Sequence, residues 1–223
     1  MSRILSATVL FLATTSGALV AQSNTGFVVG PRLGWMKYQE ETGVKNGPVI
    51  AVDATYRISR YLGLGASVGV VRAKTDGNFF PAEMTFRDTT LLFAVEQPLT
   101  TIHVAGLVTA ELPLGTVRPY VRGGAGLYHV TLDPQVAEGS TGFSELLLVG
   151  GVGFNFQVGS TTGIRLEVTD YVYTSFDREQ INPVDARFAP TRFPDVIPSQ
   201  PPFHKTAHNF AATLGFTFTP GAR

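Results

Sequence analysis

The sequence predicts an all-β protein: an eight-stranded antiparallel up-and-down transmembrane β-barrel, preceded by a cleavable signal peptide. Segments of about ten residues that alternate apolar with polar or small side chains recur along the chain, as in half-buried strands. The connections between these segments are alternately long and short, and glycines are concentrated on the polar face of the segments. No part of the mature chain shows a sustained helical period.

Eight segments with this alternation are predicted to be strands. They cover residues 26–38, 49–59, 61–72, 101–112, 117–132, 144–158, 163–174 and 206–219. The short connections, at residues 59–60, 113–116 and 159–162, predict tight hairpins. The long connections cover residues 39–48, 74–100, 133–143 and 175–205. An even number of strands with short turns at one end and long loops at the other is typical of transmembrane barrels, and it places both chain ends at the short-turn side.

The last predicted strand separates its side chains into an apolar face and a small, polar face. Phe210, Leu214 and Phe216 lie on the first face, and Thr213 and Gly215 lie on the second. A soluble barrel would turn the apolar face inward, and periodicity alone does not exclude that alternative. However, glycine is unfavourable at a solvent-facing strand position, whereas the narrow interior of an eight-stranded barrel needs small residues beside large ones. The glycines therefore favour a barrel whose apolar face contacts lipid.

Aromatic residues are predicted to form two girdles on the barrel. Near the short-turn ends lie Phe27, Tyr56, Phe154, Phe156, Phe216 and Phe218. Near the long-loop ends lie Trp35 and Tyr173. Aromatic side chains collect at both interfaces of a membrane, so clustering at two heights supports the transmembrane interpretation.

Residues 1–21 are predicted to be a signal peptide, and residues 22–223 a single barrel domain. Arg3 precedes an apolar stretch that ends at Ala13, and small residues then lead to a cleavage site near Ala21. The apolar stretch has about ten residues, whereas a membrane-spanning helix needs about 20. The expected route of the chain is therefore export.

Composition excludes several classes of function. Lys plus Arg equals Asp plus Glu at 17 each, so the net charge gives no electrostatic reason to expect nucleic-acid binding. The chain has no Cys, which excludes disulfides, thiolate catalysis and Cys-based metal sites. We expect no cofactor.

Three short motifs add a family resemblance to this topology. They are residues 118–121 running into the glycine-rich 123–126, residues 165–168, and residues 208–210 leading to 214–218. Together with the topology, residues 24–219 resemble the OmpA/OmpX-like outer membrane protein β-barrel family. The resemblance implies an integral protein of the bacterial outer membrane that passes through the periplasm and meets the barrel-assembly machinery. The chain departs from the family pattern at its end, where residues 219–223 follow the aromatic Phe218.

Eight charged residues are predicted to point into the lumen. They are Arg32, Asp53, Arg57, Glu111, Arg122, Glu145, Arg165 and Glu167. Because buried charges need partners, the four arginines and four carboxylates are expected to form a balanced network of ion pairs that fills the lumen. A selective ion path through the lumen is the alternative.

One charged residue does not follow the alternation. Asp170 falls on the apolar face of its strand, where it would be directed at lipid. The sequence therefore predicts a bulge near Thr169 that returns Asp170 to the lumen and turns Tyr171 and Tyr173 outward.

No catalytic residue and no metal site is predicted. His129 and Thr131 lie two apart on a strand, and this only partly resembles the Ser/His/Glu set of barrels that deacylate lipid A. His204 and His208 would lie roughly 13 Å apart on a strand, beyond the reach of a shared metal ion.

The long loops contain the candidates for recognition. These are Phe79, Phe80, Arg187, Phe188, Arg192 and Phe193. Arginines beside aromatic rings could contact the phosphates and sugars of lipopolysaccharide, contact a surface partner, or cap the barrel mouth. The sequence thus predicts a monomeric outer-membrane barrel surrounded by outer-membrane lipid and lipopolysaccharide, with a structural or surface-interaction role and no catalysis. The alternatives are a small pore for ions or small solutes, a lipid-A-modifying barrel enzyme, and a soluble lipid-binding barrel.

Overall fold

The computed structural model describes residues 26–77, 82–86, 89–93, 96–133, 141–181 and 203–220 of the 223-residue chain. The predicted signal peptide and the six loop candidates for recognition lie outside the described residues. In the part that is described, no helix has the length and the apolar character needed to cross a membrane.

The described residues form ten strands and two short helical segments. The strands are β1 (Gly26–Lys37), β2 (Gly47–Arg57), β3 (Leu62–Lys74), β4 (Ala82–Phe86), β5 (Thr89–Phe93), β6 (Pro98–Glu111), β7 (Val117–Leu132), β8 (Thr141–Gln157), β9 (Thr162–Asp177) and β10 (His204–Phe218). A 3-10 helix covers Glu40–Thr42, and helix α1 covers Arg178–Ile181.

Eight of these strands form a closed antiparallel barrel. Its order is β1-β2-β3-β6-β7-β8-β9-β10, and β10 returns to β1 with Val29 opposite Phe218 and Lys37 opposite Phe210. Closure matters because lipid offers no hydrogen-bond partners to an open sheet edge, so the backbone groups must bond to one another. The predicted fold class is confirmed, and each predicted strand overlaps one strand of the barrel.

The apolar face of the barrel points outward. Phe210, Leu214 and Phe216 are 50%, 46% and 63% exposed, whereas Arg122 and Glu167 are 6% and 3% exposed. In water, so large a contiguous apolar surface would promote association. The soluble-barrel alternative is therefore wrong, and the exterior suits a hydrocarbon environment.

Inward-facing glycines make room for long side chains in the lumen. A Cβ atom added at Gly153 would lie 2.5 Å from the Tyr120 hydroxyl oxygen, and one added at Gly151 would lie 3.4 Å from Cγ of Arg122. A Cβ atom at Gly215 would lie 2.8 Å from Cβ of Arg32. These glycines are needed because the lumen is only just wide enough for the arginine and tyrosine side chains that cross it.

The aromatic residues at the short-turn end lie where they are predicted. Phe27, Tyr56, Phe154, Phe216 and Phe218 are all exposed on the outer surface. The ring centroids of Phe27 and Tyr56 are 5.1 Å apart on adjacent strands. This arrangement forms a girdle at one membrane interface.

The outer girdle differs from the prediction. Trp35 is 56% exposed near the long-loop end of β1, but Tyr173 is fully buried and points into the lumen. The prediction for Tyr173 is wrong because it depended on a bulge near Thr169. Strand β9 is in continuous register with both neighbours there, with Asp170 opposite Gly150 on β8 and Phe210 on β10. The register shift in this pair of strands occurs further along, between Lys205 and Ala207.

Without that bulge, Asp170 stays on the outer face and Tyr171 joins Tyr173 inside the barrel. The outward carboxylate is tolerated because His208, on β10, lies beside it, with 2.8 Å between imidazole Nδ1 and Asp170 Oδ2. On the outward face of β10, read from the short-turn end towards the long loops, His208 is the first polar residue after a run of apolar residues. The pair therefore lies at the outer edge of the apolar band, where the cost of a charge falls towards zero.

The predicted loop at residues 74–100 contains a structure that the sequence reading missed. Strands β4 and β5 form a two-stranded antiparallel sheet outside the barrel, with Ala82 opposite Phe93 and Phe86 opposite Thr89. The alternation there is short, and it was obscured by neighbouring Pro and charged residues. The chain thus extends beyond the barrel on the long-loop side.

The orientation of β8 can be tested with two glycine substitutions. Gly153→Ala should destabilise the barrel by about 1–3 kcal/mol, because the new methyl group overlaps the Tyr120 side chain. Gly150→Ala is the matched control: Gly150 faces lipid, and no atom lies within 4 Å of its added Cβ. The measurement is urea-induced unfolding of the protein refolded into lipid vesicles. A greater loss of stability in the Gly150 variant would contradict the assignment of faces.

Candidate functional site: the lumen

The lumen has two levels that differ in chemistry. Charged residues from five strands fill the half near the short turns, and aromatic residues fill the half near the long loops. Each level is formed by side chains from many strands, because in a closed barrel alternate residues of every strand point to one axis.

The centre of the charged level is a set of five residues with almost no exposure to solvent. Asp53 Oδ2 lies 3.1 Å from Arg32 Nε, 3.0 Å from Arg122 Nη1 and 3.0 Å from Arg165 Nη1. Glu167 Oε1 accepts hydrogen bonds from Arg32, at 3.1 Å, and from Arg122. Two carboxylates thus hold three guanidinium groups across the barrel axis, and this set is called the central network.

Hydroxyl groups complete the central network. The Tyr120 hydroxyl donates to Glu167 Oε2 at 2.6 Å, and Arg32 donates to the Tyr171 hydroxyl at 2.9 Å and to Ser67 at 3.2 Å. The Arg165 guanidinium carbon also lies 5.1 Å from the centre of the Tyr120 ring. These contacts offset the cost of removing the charges from water.

A second set of charges lies at the short-turn mouth of the barrel. Arg57 Nη2 is 3.1 Å from Glu111 Oε2, and Arg118 Nη1 is 4.0 Å from the same oxygen. The side chains of Arg57 and Arg118 are 13% and 20% exposed, so water reaches this set. The three residues are called the mouth cluster.

Seven of the eight residues predicted for the lumen lie in these two sets. Glu145 is the exception: it lies near Tyr128 at the long-loop half, and none of its described contacts is an ion pair with the arginines. Arg118, which the sequence reading missed, faces inward on β7 two residues from Tyr120. The predicted balance of four to four is therefore wrong, since five arginines face three carboxylates in the two sets. Counting the alternation of β7 back from Arg122 would have found Arg118.

Aromatic rings close the other level of the lumen. Tyr128 stacks on Tyr173 with ring centroids 4.0 Å apart, and His103 stacks on Tyr171 at 4.7 Å. Phe176 packs against Tyr173, Phe143 and Phe203. The rings of this aromatic level are buried, and Ile181 of α1 is fully buried with them. The level thus seals the outer mouth with side chains from β6, β7, β8, β9 and the segments around α1.

Among the described residues, two of the polar pairs outside the lumen involve histidines on the outward faces of the barrel strands. One is the Asp170–His208 pair, and the other joins His129 Nδ1 to Ser144 Oγ at 2.8 Å across β7 and β8. The structure thus pairs His129 with Ser144 rather than with Thr131. Among the described residues, no carboxylate bonds to the His129 imidazole, so the third member of a Ser/His/acid triad is not found there.

The described residues also contain no group of three or more His, Cys, Asp or Glu side chains that could hold a metal ion. The arginines and carboxylates of the central network form ion pairs with one another.

A closed barrel with an apolar exterior, an interfacial aromatic girdle and a filled polar lumen defines the class of small transmembrane β-barrels. The family model of the outer membrane protein beta-barrel domain matches residues 5–192. The chain belongs to this family, and it is a protein of the bacterial outer membrane. A comparison with curated protein sequences finds no match.

The chain is similar to several solved structures at low sequence identity, and the likeness to the first of them supports the same fold. Neisserial surface protein A (NspA) is 14% identical, with a TM-score of 0.55 over 88% of this chain and 99% of that chain. OprG from Pseudomonas aeruginosa is 12% identical, with a TM-score of 0.47 over 88% and 96%. Ail, the attachment invasion locus protein of Yersinia pestis, is 12% identical, with a TM-score of 0.43 over 87% and 97%. At such identities the likeness concerns the fold alone.

The central network can be tested by removing one of its two carboxylates. Glu167→Gln should destabilise the barrel by about 3–5 kcal/mol, because Arg32 and Arg122 then remain buried with a single carboxylate, Asp53. Equilibrium unfolding in urea, with the protein in lipid vesicles, measures the change.

The matched control is Glu96→Gln in a loop outside the barrel. Glu96 pairs with Lys45 and Lys74 on the exposed surface, and the hydrogen bond from Lys45 holds the pKa of the Glu96 carboxyl below its usual range. Exposed pairs contribute little to stability, so no measurable change is expected. Equal effects of the two substitutions would show that the lumen charges are not coupled as described.

Proposed function

We propose that the protein is a sealed barrel with a structural or surface-interaction role in the outer membrane, without catalysis and without a conducting pore. The main support for this proposal is that the lumen is closed at two levels. The central network and the aromatic level each span the interior with buried side chains that bond or pack against one another.

The pore alternative requires water to pass both levels. The side chains of Arg32, Asp53, Arg122 and Glu167 are each at most 3% exposed, so a water-filled path at that height is not supported. Opening the level would break several ion pairs at once, and leaving such charges unpaired is strongly unfavourable.

The surface role is supported by the asymmetry of the barrel. The described turns at one end are short, whereas the other end continues into α1, the β4–β5 sheet and the long connections. Those connections also contain the Arg and aromatic residues singled out in the sequence. Because binding residues are often presented on loops by a rigid scaffold, this end is the candidate for contact with other molecules.

Lipopolysaccharide is the partner that the outer surface favours. Lys37 of β1 and Arg72 and Lys74 of β3 are exposed, and they follow the outward apolar residues of their strands towards the long-loop end. Cations at that height would meet the phosphates of outer-leaflet lipopolysaccharide, for which Lys and Arg are suitable partners. Lys74 also pairs with Glu96, so Lys37 and Arg72 have the greater share of this proposed role.

An enzyme acting on lipid is the second candidate, and one observation favours it. The His129–Ser144 pair has the separation of a base and a nucleophile and is exposed on the outer surface. Because no carboxylate among the described residues orients the His129 imidazole, an enzymatic role is a weaker candidate than the non-catalytic role. Comparing lipid-A acylation in cells that express the wild type and Ser144→Ala separates the two, since only an enzyme would produce a difference.

The sealed lumen predicts electrical silence. The purified protein in planar lipid bilayers should show no unitary conductance steps at voltages where a porin, as positive control, conducts. Tyr173→Ala should also remain silent, because the central network still closes the barrel. Regular conductance steps from the wild type would contradict the proposal.

The lipopolysaccharide contact predicts a loss of binding in charge variants. Lys37→Gln combined with Arg72→Gln should retain several-fold less lipopolysaccharide during purification in an uncharged detergent. Arg60→Gln is the matched control, because Arg60 is also exposed but lies at the short-turn end. Equal retention by all three proteins would argue against a phosphate contact at the outer end.

A further inference from the structure

The short-turn mouth of the barrel carries more positive than negative charge. In the mouth cluster, Arg57 and Arg118 share the single carboxylate of Glu111. The central network adds a further excess, with three arginines against two carboxylates. Guanidinium groups do not lose their proton in proteins, so this charge persists at every physiological pH.

Most donors of the two mouth arginines have no acceptor among the described residues. Arg57 donates one hydrogen bond to Glu111, and Arg118 approaches Glu111 only at ion-pair distance, 4.0 Å. The Nε atoms of both arginines are buried without a hydrogen-bond partner. A guanidinium carries five N–H donors, so each group has capacity for a further acceptor.

The surrounding turns provide no second carboxylate. Residues 58–61, 112–116 and 158–161 form the three short turns, and none of them is Asp or Glu. Arg60 adds another cation there, and its guanidinium carbon lies 4.5 Å from the centre of the Tyr61 ring. The described part of the short-turn end is therefore electropositive, with Glu111 as its sole acidic residue.

We propose that the mouth cluster binds a small oxyanion, a phosphate or a carboxylate, between Arg57 and Arg118. Both guanidinium groups approach the same carboxylate oxygen of Glu111 and remain partly exposed, and planar guanidinium groups bind oxyanions through paired hydrogen bonds. A bound anion also supplies the negative charge that Glu111 alone does not provide.

The anion comes from the solution at the short-turn side rather than from the bilayer. Both arginines face the barrel interior, on the side of their strands opposite to the lipid-facing residues. Their side chains are 13% and 20% exposed, which gives access to water through the mouth. Passage further inward is closed by the central network, so the site is a pocket at the mouth and not a route across the membrane.

The test uses the folded protein in an uncharged, phosphate-free detergent with inorganic phosphate as the probe. Isothermal titration against a chloride background should show saturable binding of one phosphate per barrel, and acetate should compete. Arg118→Gln should weaken binding by about tenfold or more, as expected for the loss of charge-assisted hydrogen bonds. Glu111→Gln should tighten binding, because the carboxylate that competes for both arginines loses its charge.

Arg60→Gln is the control for general electrostatic attraction and should leave the affinity within about twofold, because single exposed charges contribute little. Gel migration of heated and unheated samples verifies that each variant is folded. If Arg118→Gln does not fold, Arg118→Lys provides the test. It keeps the positive charge but loses the planar guanidinium, so its affinity for phosphate should be several-fold lower. Absence of saturable binding, or an equal loss in the Arg60 and Arg118 variants, would overturn the proposal.

Discussion

The structure depends on one constraint: inside a membrane the polypeptide backbone can hydrogen-bond only to itself. A sheet meets this constraint when its first and last strands pair, as β1 and β10 do here over residues 29–37 and 210–218. Closure of eight strands then leaves a lumen about as wide as the side chains that fill it. The polar residues excluded from the lipid face must share that space, so their packing and charge pairing follow from closure.

The lumen shows how a narrow cylinder accommodates long polar side chains. Three of the large lumen residues lie beside a glycine: Tyr120 beside Gly153, Arg122 beside Gly151 and Arg32 beside Gly215. The large side chains must first fit sterically beside the small ones, and only side chains that fit in this way can form ion pairs in the lumen. This order explains why glycine is abundant in the strands even though it has low β-propensity. It also explains why the two levels of the lumen are sealed by different chemistry, ion pairs in one and stacked rings in the other.

Much of this architecture could be predicted from the sequence because period-two alternation is a local property. The strands, the alternating turn lengths and the outward direction of Phe210 or Leu214 all follow from residues a few positions apart. The inward glycines resolved the choice between lipid and water, since only a crowded lumen gives them a purpose. These features depend on pattern and steric size rather than on which strands meet across the axis.

The errors arose where tertiary partners decide the outcome. The alternation of β9 predicts a bulge at Asp170, but a partner on the adjacent strand, His208, makes the outward position acceptable. The supposed charge balance failed because Arg118 was not counted and Glu145 lies at the other level. The pairing of His129 with Ser144 depends on the register between β7 and β8, which alternation within one strand does not reveal. The β4–β5 sheet was missed because its alternating segments are only five residues each.

The pairing of β1 with β10 has a further consequence for how the chain encodes the cylinder. Around the closed sheet, each barrel strand has two hydrogen-bonded neighbours, and no position along the circumference is marked as first or last. Cutting any one of the outer connections and joining the ends of β1 and β10 would preserve the same set of strand contacts. In the finished barrel, the order of the strands along the chain therefore does not single out any one strand as the edge of the sheet.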